Sequence, residues 1–188
     1  MKKLSFLSLS VLILFIGACQ GPLGPEGPIG PQGPPGEDGV NILGSVFEVI
    51  TDLTPEGNYG VLLNFQQEFG LEVFPSDAVL VYLLWEEIED SEGNPLPIWR
   101  LLPQTVFLED GMFRYNYEHT DLDVDIFLDG PYNLNTLSDI WTLDQVFRVV
   151  VVPADFINNN ARYDFSDYEA TLELLGIDDS EVKRIEIK

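Results

Sequence analysis

The sequence predicts a mainly β fold: an antiparallel, sandwich-like domain over residues 40–188 with one helix in its C-terminal region, preceded by a polyproline II stalk over 19–39 and a targeting segment over 1–18. Three observations predict it. Short apolar or alternating runs recur through 40–188, separated by Pro, Gly and Asn. A single stretch, 166–175, combines helical spacing with start and stop signals. Glycine falls at every third position from Gly21 through Gly39, mostly followed by proline.

The first element is an export signal. Lys2 and Lys3 precede an almost uninterrupted apolar stretch over 4–16. Such a stretch is too short for a hydrocarbon core of ~30 Å, which takes roughly 20 residues. Ile16-Gly17-Ala18-Cys19 follows, and Cys19 is the only cysteine. This tetrapeptide resembles the lipobox of bacterial lipoproteins. The resemblance implies cleavage before Cys19, a diacylglyceryl group on its thiol, and residence in the cell envelope on a lipid anchor. Several acyl chains, at ~0.8 kcal/mol per buried methylene, make such an anchor durable. Gln20 stands where lipoproteins held at the inner membrane often carry Asp, so the resemblance further implies an outer membrane where the cell has one. The plainer alternative is a secretory signal with a chance cysteine at its boundary.

The second element reads Gly-Pro-Leu, Gly-Pro-Glu, Gly-Pro-Ile, Gly-Pro-Gln, Gly-Pro-Pro and Gly-Glu-Asp, with triplet glycines at Gly21, Gly24, Gly27, Gly30, Gly33 and Gly36 and a closing Gly39. Three polyproline II chains wind together only where every third residue leaves the crowded axis free of a side chain. The run resembles collagen-like sequence, and the resemblance implies a homotrimer through the stalk. Six triplets are marginal alone, so a trimer needs help from the neighbouring domain or from clustered anchors. A monomeric, proline-stiffened spacer is the alternative. Either form reaches about 55 Å at ~3.1 Å per residue.

Within 40–188 the expected strands are 42–50, 59–65, 71–74, 78–85, 98–108, the alternating set Phe113, Tyr115 and Tyr117, the set Leu122, Val124 and Ile126, then 146–152 and 182–187. Residues 78–85 and 146–152 read as fully apolar, hence as central strands buried on both faces or lying near a subunit interface. Residues 86–97 read as an acidic turn, and Pro103 as the mark of an edge or a bulge. Ser166-x-x-Glu169 is a capping box, Gly176 stands at the C-terminal cap, and Tyr168, Leu172 and Leu175 recur at helical spacing.

Composition narrows the function. With 32 Asp+Glu against 9 Lys+Arg the net charge is −23, the wrong sign for a nucleic-acid partner. A single Cys and a single His leave no disulfide scaffold and no thiolate or His-rich metal site. No Gly-x-Gly-x-x-Gly lies between a strand and a helix, so the dinucleotide fingerprint is missing.

Asp121, Asp123 and Asp125 alternate with apolar residues and, on one strand face, are a candidate Ca²⁺ site. A solvated polar face is the competing and preferred reading. The acids Glu86, Glu87, Glu89 and Asp90 read as a solvated loop, His119 as a surface histidine, and Trp85 and Trp99 as core packing rather than sugar platforms. No catalytic residues emerge. The expected function is therefore a cell-envelope lipoprotein displaying a non-enzymatic domain for binding, adhesion or structure. The alternative is a secreted, carboxylate-dependent hydrolase acting on glycans.

Overall fold

A computed structural model describes residues 44–159 and 163–187. The targeting segment, Cys19 and the stalk glycines lie outside the described residues. The strands are β1 (Ser45–Thr51), β2 (Gly60–Asn64), β3 (Ala78–Glu89), β4 (Pro95–Leu101), β5 (Gln104–Leu108), β6 (Gly111–His119), β7 (Asp123–Asp129), β8 (Gln145–Val152) and β9 (Lys183–Ile187), with short helices α1 (Ala154–Asn159) and α2 (Tyr168–Leu175). They form two open sheets, a five-stranded one in the order β4-β3-β8-β1-β9 and a four-stranded one in the order β2-β7-β6-β5. Among the described residues no helix is long and apolar enough to cross a membrane.

The mainly β class and the late helix are as expected; several elements are not. β9 runs parallel to β1, so the five-stranded sheet is mixed rather than antiparallel. β8 ends and β9 begins at the Ser45 end of the sheet, so β9 runs antiparallel to β8, the strand before it, and parallel to β1, which lies between them. Residues 71–74 form no strand. A π-turn over Phe65–Phe69 closes on Gly70 at φ +68, and the following apolar residues bury Val73 in the core without pairing. A second short helix, α1, was not expected.

The expected strand 98–108 is two strands in two different sheets. The Leu102 amide donates to the Val81 carbonyl at 2.8 Å, and Pro103, having no N–H, cannot continue the ladder. The chain crosses from one sheet to the other there. The acidic turn is also shorter than expected, since β3 runs on to Glu89 and pairs with β4 through Glu87↔Pro97 and Ile88↔Leu96. Only residues 90–94 turn. The Asp90 carboxylate accepts from the amides of Glu92 and Asn94, both at 2.8 Å, and from Asn94 Nδ2 at 3.0 Å. Hydrogen bonds from Asn94 lead the causes that hold this carboxyl below the usual range.

Helix α2 starts one residue later than the capping box implies. Asp167, not Ser166, accepts from the Ala170 amide at 3.0 Å. Its end is as expected: Gly176 takes φ +67 and donates to the Glu173 carbonyl.

The sheets share one core, built from Val49, Val81, Phe147 and Val149 on one side and Leu63, Phe113, Tyr115, Val124 and Ile126 on the other. The opposite face of the five-stranded sheet buries Val46, Tyr82, Val150 and Val152 against Tyr168, Leu172 and Leu175 of α2. That is why β3 and β8 carry apolar residues on both faces. They are central strands covered on both faces by the domain's own elements. The run 146–152 also holds an exception to its apolar reading in Arg148, buried on the helix side.

Tyr82, Tyr115 and Tyr168 are among the tyrosines buried in these cores. Tyr82 Oη reaches Phe165 O and Thr171 Oγ1, and burial pushes its pKa up to about 12. Burial likewise raises Tyr115 and Tyr168. A raised folded pKa contributes stability that is complete below the unfolded value of 10.0 and is lost as pH climbs through about 12. We expect phenolate absorbance to develop in two stages, with these tyrosines ionising only as the fold is lost. Ionisation of all tyrosines in one step near pH 10 with the fold intact would contradict this.

Candidate functional site

The three aspartates of the sequence reading do not converge. Only Asp123 and Asp125 lie on β7, whereas Asp121 sits in the exposed turn before it. Thr120 shapes that turn: its hydroxyl donates to Asp123 Oδ1 at 2.7 Å and accepts from the Leu122 amide at 3.0 Å. Asp123 is thereby occupied as a turn anchor. Asp125 faces Glu118 across the β6–β7 pair. Burial first, then the charges of Glu118 and Asp123, push its carboxyl up. Among the described residues no group of three or more His, Cys, Asp or Glu is placed to hold a metal ion.

Two adjoining grooves flank the turn. One, of about 240 Å³, is lined by Val73, Phe74, Asp77, His119, Thr120 and Asp121. The second, of about 310 Å³, shares Val73 and Asp121 and adds Asn64, Gln66, Glu72 and Leu122. Asp77 is committed to the backbone, accepting from the Phe74 amide at 3.0 Å and the Ala154 amide at 3.3 Å. His119 is exposed and stacks on Tyr117, ring centres 6.4 Å apart. The grooves offer apolar contact and hydrogen bonding.

A third cavity, of about 300 Å³, is lined by Pro97, Trp99, Ser166, Asp167, Tyr168 and Glu169. Beneath it lies the group the sequence reading missed. Arg148 Nη2 and Nε donate to Glu48 Oε2 at 3.0 and 3.1 Å. Arg148 Nη1 donates to Tyr168 Oη at 2.5 Å and to Asp179. The guanidinium lies 4.1 Å from the Trp99 ring centre and 5.0 Å from that of Tyr168. Arg184 donates to the other Glu48 oxygen from the exposed side. Burial opposes the charge on Arg148, and Asp179, Tyr168 and Glu48 outweigh it, so its pKa rises.

Trp99 Nε1 is a buried donor without a hydrogen-bond partner, while Trp85 packs partly buried on the core with Arg100 3.9 Å above its ring. Both tryptophans pack as expected. The signal for the network was a lone Arg inside a Phe-Arg-Val-Val run and a lone Glu inside Phe-Glu-Val. Its geometry ties β1, β8, α2, the chain before β9 and β9 itself together. Compared with family models, curated proteins and solved structures, the chain matches none.

Proposed function

We propose that the chain is a cell-envelope lipoprotein, anchored through Cys19, that displays its acidic β-rich domain on a collagen-like stalk and acts by binding, adhesion or structure rather than by catalysis. The order of segments carries this reading: Lys2 and Lys3, an apolar stretch, Ile16-Gly17-Ala18-Cys19, six Gly-X-Y triplets, then the domain. The triplets support winding of three copies, and two sheets facing one core support a sandwich-like head. A non-catalytic role is supported by the use of polar groups near the cavities. Asp77 and Asp167 hold backbone amides, and Glu48 holds Arg148. The acidic head favours solubility and repels anionic surfaces.

Cells expressing the full chain are expected to incorporate labelled palmitate into it and to deliver it to the detergent phase on cloud-point partitioning. Cys19→Ser is expected to abolish the label and move the protein to the aqueous phase. Equal labelling of both forms, or of neither, overturns the anchor.

A further inference from the structure

The exposed large apolar side chains of the domain are not spread evenly. Among the described residues, six of the nine, Ile88, Leu96, Phe107, Met112, Ile140 and Leu143, lie toward one end of the two sheets. The registers define that end. β1 pairs with β8 from Ser45↔Val151 to Thr51↔Gln145, so the two sheet ends are marked by Gly44 and by Gln145. β3 pairs with β8 only as far as Leu83↔Phe147. Its continuation through Glu89, paired with β4 alone, therefore runs on past the start of β8 as a two-stranded ribbon carrying the cross-strand pair Ile88 and Leu96.

The other sheet is oriented by Tyr117 and Tyr115. Tyr117 Oη reaches the Val79 carbonyl near the Gly44 end, and Tyr115 Oη reaches Gln145. The β5–β6 turn beyond Tyr115, with its outward cross-strand pair Phe107 and Met112, thus lies at the Gln145 end. The segment holding Ile140 and Leu143 joins them there, because Gln145 Nε2 donates to both of their carbonyls, at 3.1 and 2.7 Å.

Isolated exposed apolar residues are ordinary. Convergence of three separate segments on one end, with Phe107 at 78% and Ile140 at 70% exposure, calls for a cover. A two-stranded ribbon is marginal by itself, and this one holds its apolar pair in water. The rim of the same end is acidic: Glu87, Glu89 and Asp90 on the ribbon, Glu109 and Asp110 in the β5–β6 turn, Asp139 and Asp144 beside Ile140. Of the nearby cations, Arg114 is held by Asp129 in a two-point pair at 2.9 and 3.0 Å, and Arg100 lies 3.9 Å over the Trp85 ring.

This charge selects the occupant. A second copy placed face to face would set the same carboxylates against each other, and anionic lipid or nucleic acid would be repelled. The mode of contact is also constrained. Pro95 and Pro97 remove donors from the free edge of β4, so a partner does not add there as a further strand and must dock through side chains.

We propose that this end of the domain is a docking surface for a protein partner whose contact face is apolar at its centre and rimmed by Lys and Arg. The proposal rests on the reading of the domain as a binding module, not on the anchor at Cys19, so the palmitate result leaves it standing.

The test uses the full chain, in phosphatidylcholine nanodiscs with empty discs subtracted where it carries the palmitate label and in buffer where it does not, and a labelled peptide of Leu and Lys as probe. Binding is expected, weakening as salt is raised. Phe107→Ser combined with Ile140→Ser is expected to weaken it about tenfold, with an unchanged thermal midpoint because both side chains are exposed. Ile88→Ser with Leu96→Ser is the second, independent pair and is expected to act in the same direction. Phe74→Ser with Leu122→Ser, outside this end, is expected to leave binding within about twofold.

Absence of binding, equal binding by a Ser and Lys peptide, or loss with the Phe74 and Leu122 pair overturns the proposal. Flotation with phosphatidylglycerol vesicles that depends on Phe107 and Ile140 overturns it in favour of a membrane. Self-association removed by the same pair overturns it in favour of a second copy.

Discussion

Arg148→Ala is expected to lower the stability of the domain by about 3–5 kcal/mol, the range seen when one partner of a buried ion pair is removed. Arg148 and Glu48 are 6% and 4% exposed, so the deletion leaves a carboxylate in the protein interior with only Arg184 to answer it. That remaining cation is 68% exposed in its side chain and screened by water, which makes it a weak substitute. The same deletion removes a guanidinium packed on the Trp99 and Tyr168 rings, a contact worth about 2 kcal/mol when desolvated. At roughly 2–4 °C per kcal/mol for a domain of this size, the thermal midpoint is expected to fall by about 10 °C. Arg148→Met with Glu48→Leu, which removes both buried charges and keeps the volume, is expected to recover most of the loss. A single-variant loss below about 1 kcal/mol by denaturant titration would show that the network is not what fixes α2 to the sheet.

The network also marks where local sequence stops being informative. A β8 run apolar at nearly every position reads correctly as a central strand, because burial on both faces erases alternation. The same reading passes over Arg148, since a charge is tolerable there only when Glu48 and Asp179 arrive from far along the chain. Glycine at the end of α2 and its apolar spacing were legible because they act within a turn or two. The cap shifted by one residue, from Ser166 to Asp167, because both residues are capable acceptors and only the final geometry chooses between them.

Other differences have the same origin. Alternation places Asp123 and Asp125 together correctly, but nothing periodic separates Asp121, which the Thr120 turn removes from the strand. Pro103 is legible as a break in pairing. Whether the chain then rejoins its sheet or crosses to the other depends on where the β3–β4 and β5–β6 hairpins are incorporated, which for the first is set by β8, remote in sequence. The apolar end at Phe107 and Ile140 is illegible for this reason too, since no window of the sequence contains the segments that meet there.

Phe147→Ala is expected to cost about 3–5 kcal/mol by leaving a cavity between the sheets. Phe147 is fully buried, and its ring lies 6.3 Å from that of Tyr115. It precedes Arg148 in β8 but points to the opposite face, so neighbouring positions probe two different cores. The two losses together approach or exceed the ~5–15 kcal/mol that holds a typical domain, and the double variant is expected to be unfolded at room temperature by circular dichroism. Milder changes, Phe147→Leu and Arg148→Lys, keep the fold and measure the coupling between the faces. Their losses are expected to add within about 0.5 kcal/mol, because the side chains share no partner. A coupling above about 1 kcal/mol would mean that β8 moves as a unit when either face is loosened. The helix cover and the sheet-to-sheet core would then be a single structure rather than two layers bound independently to the same strand.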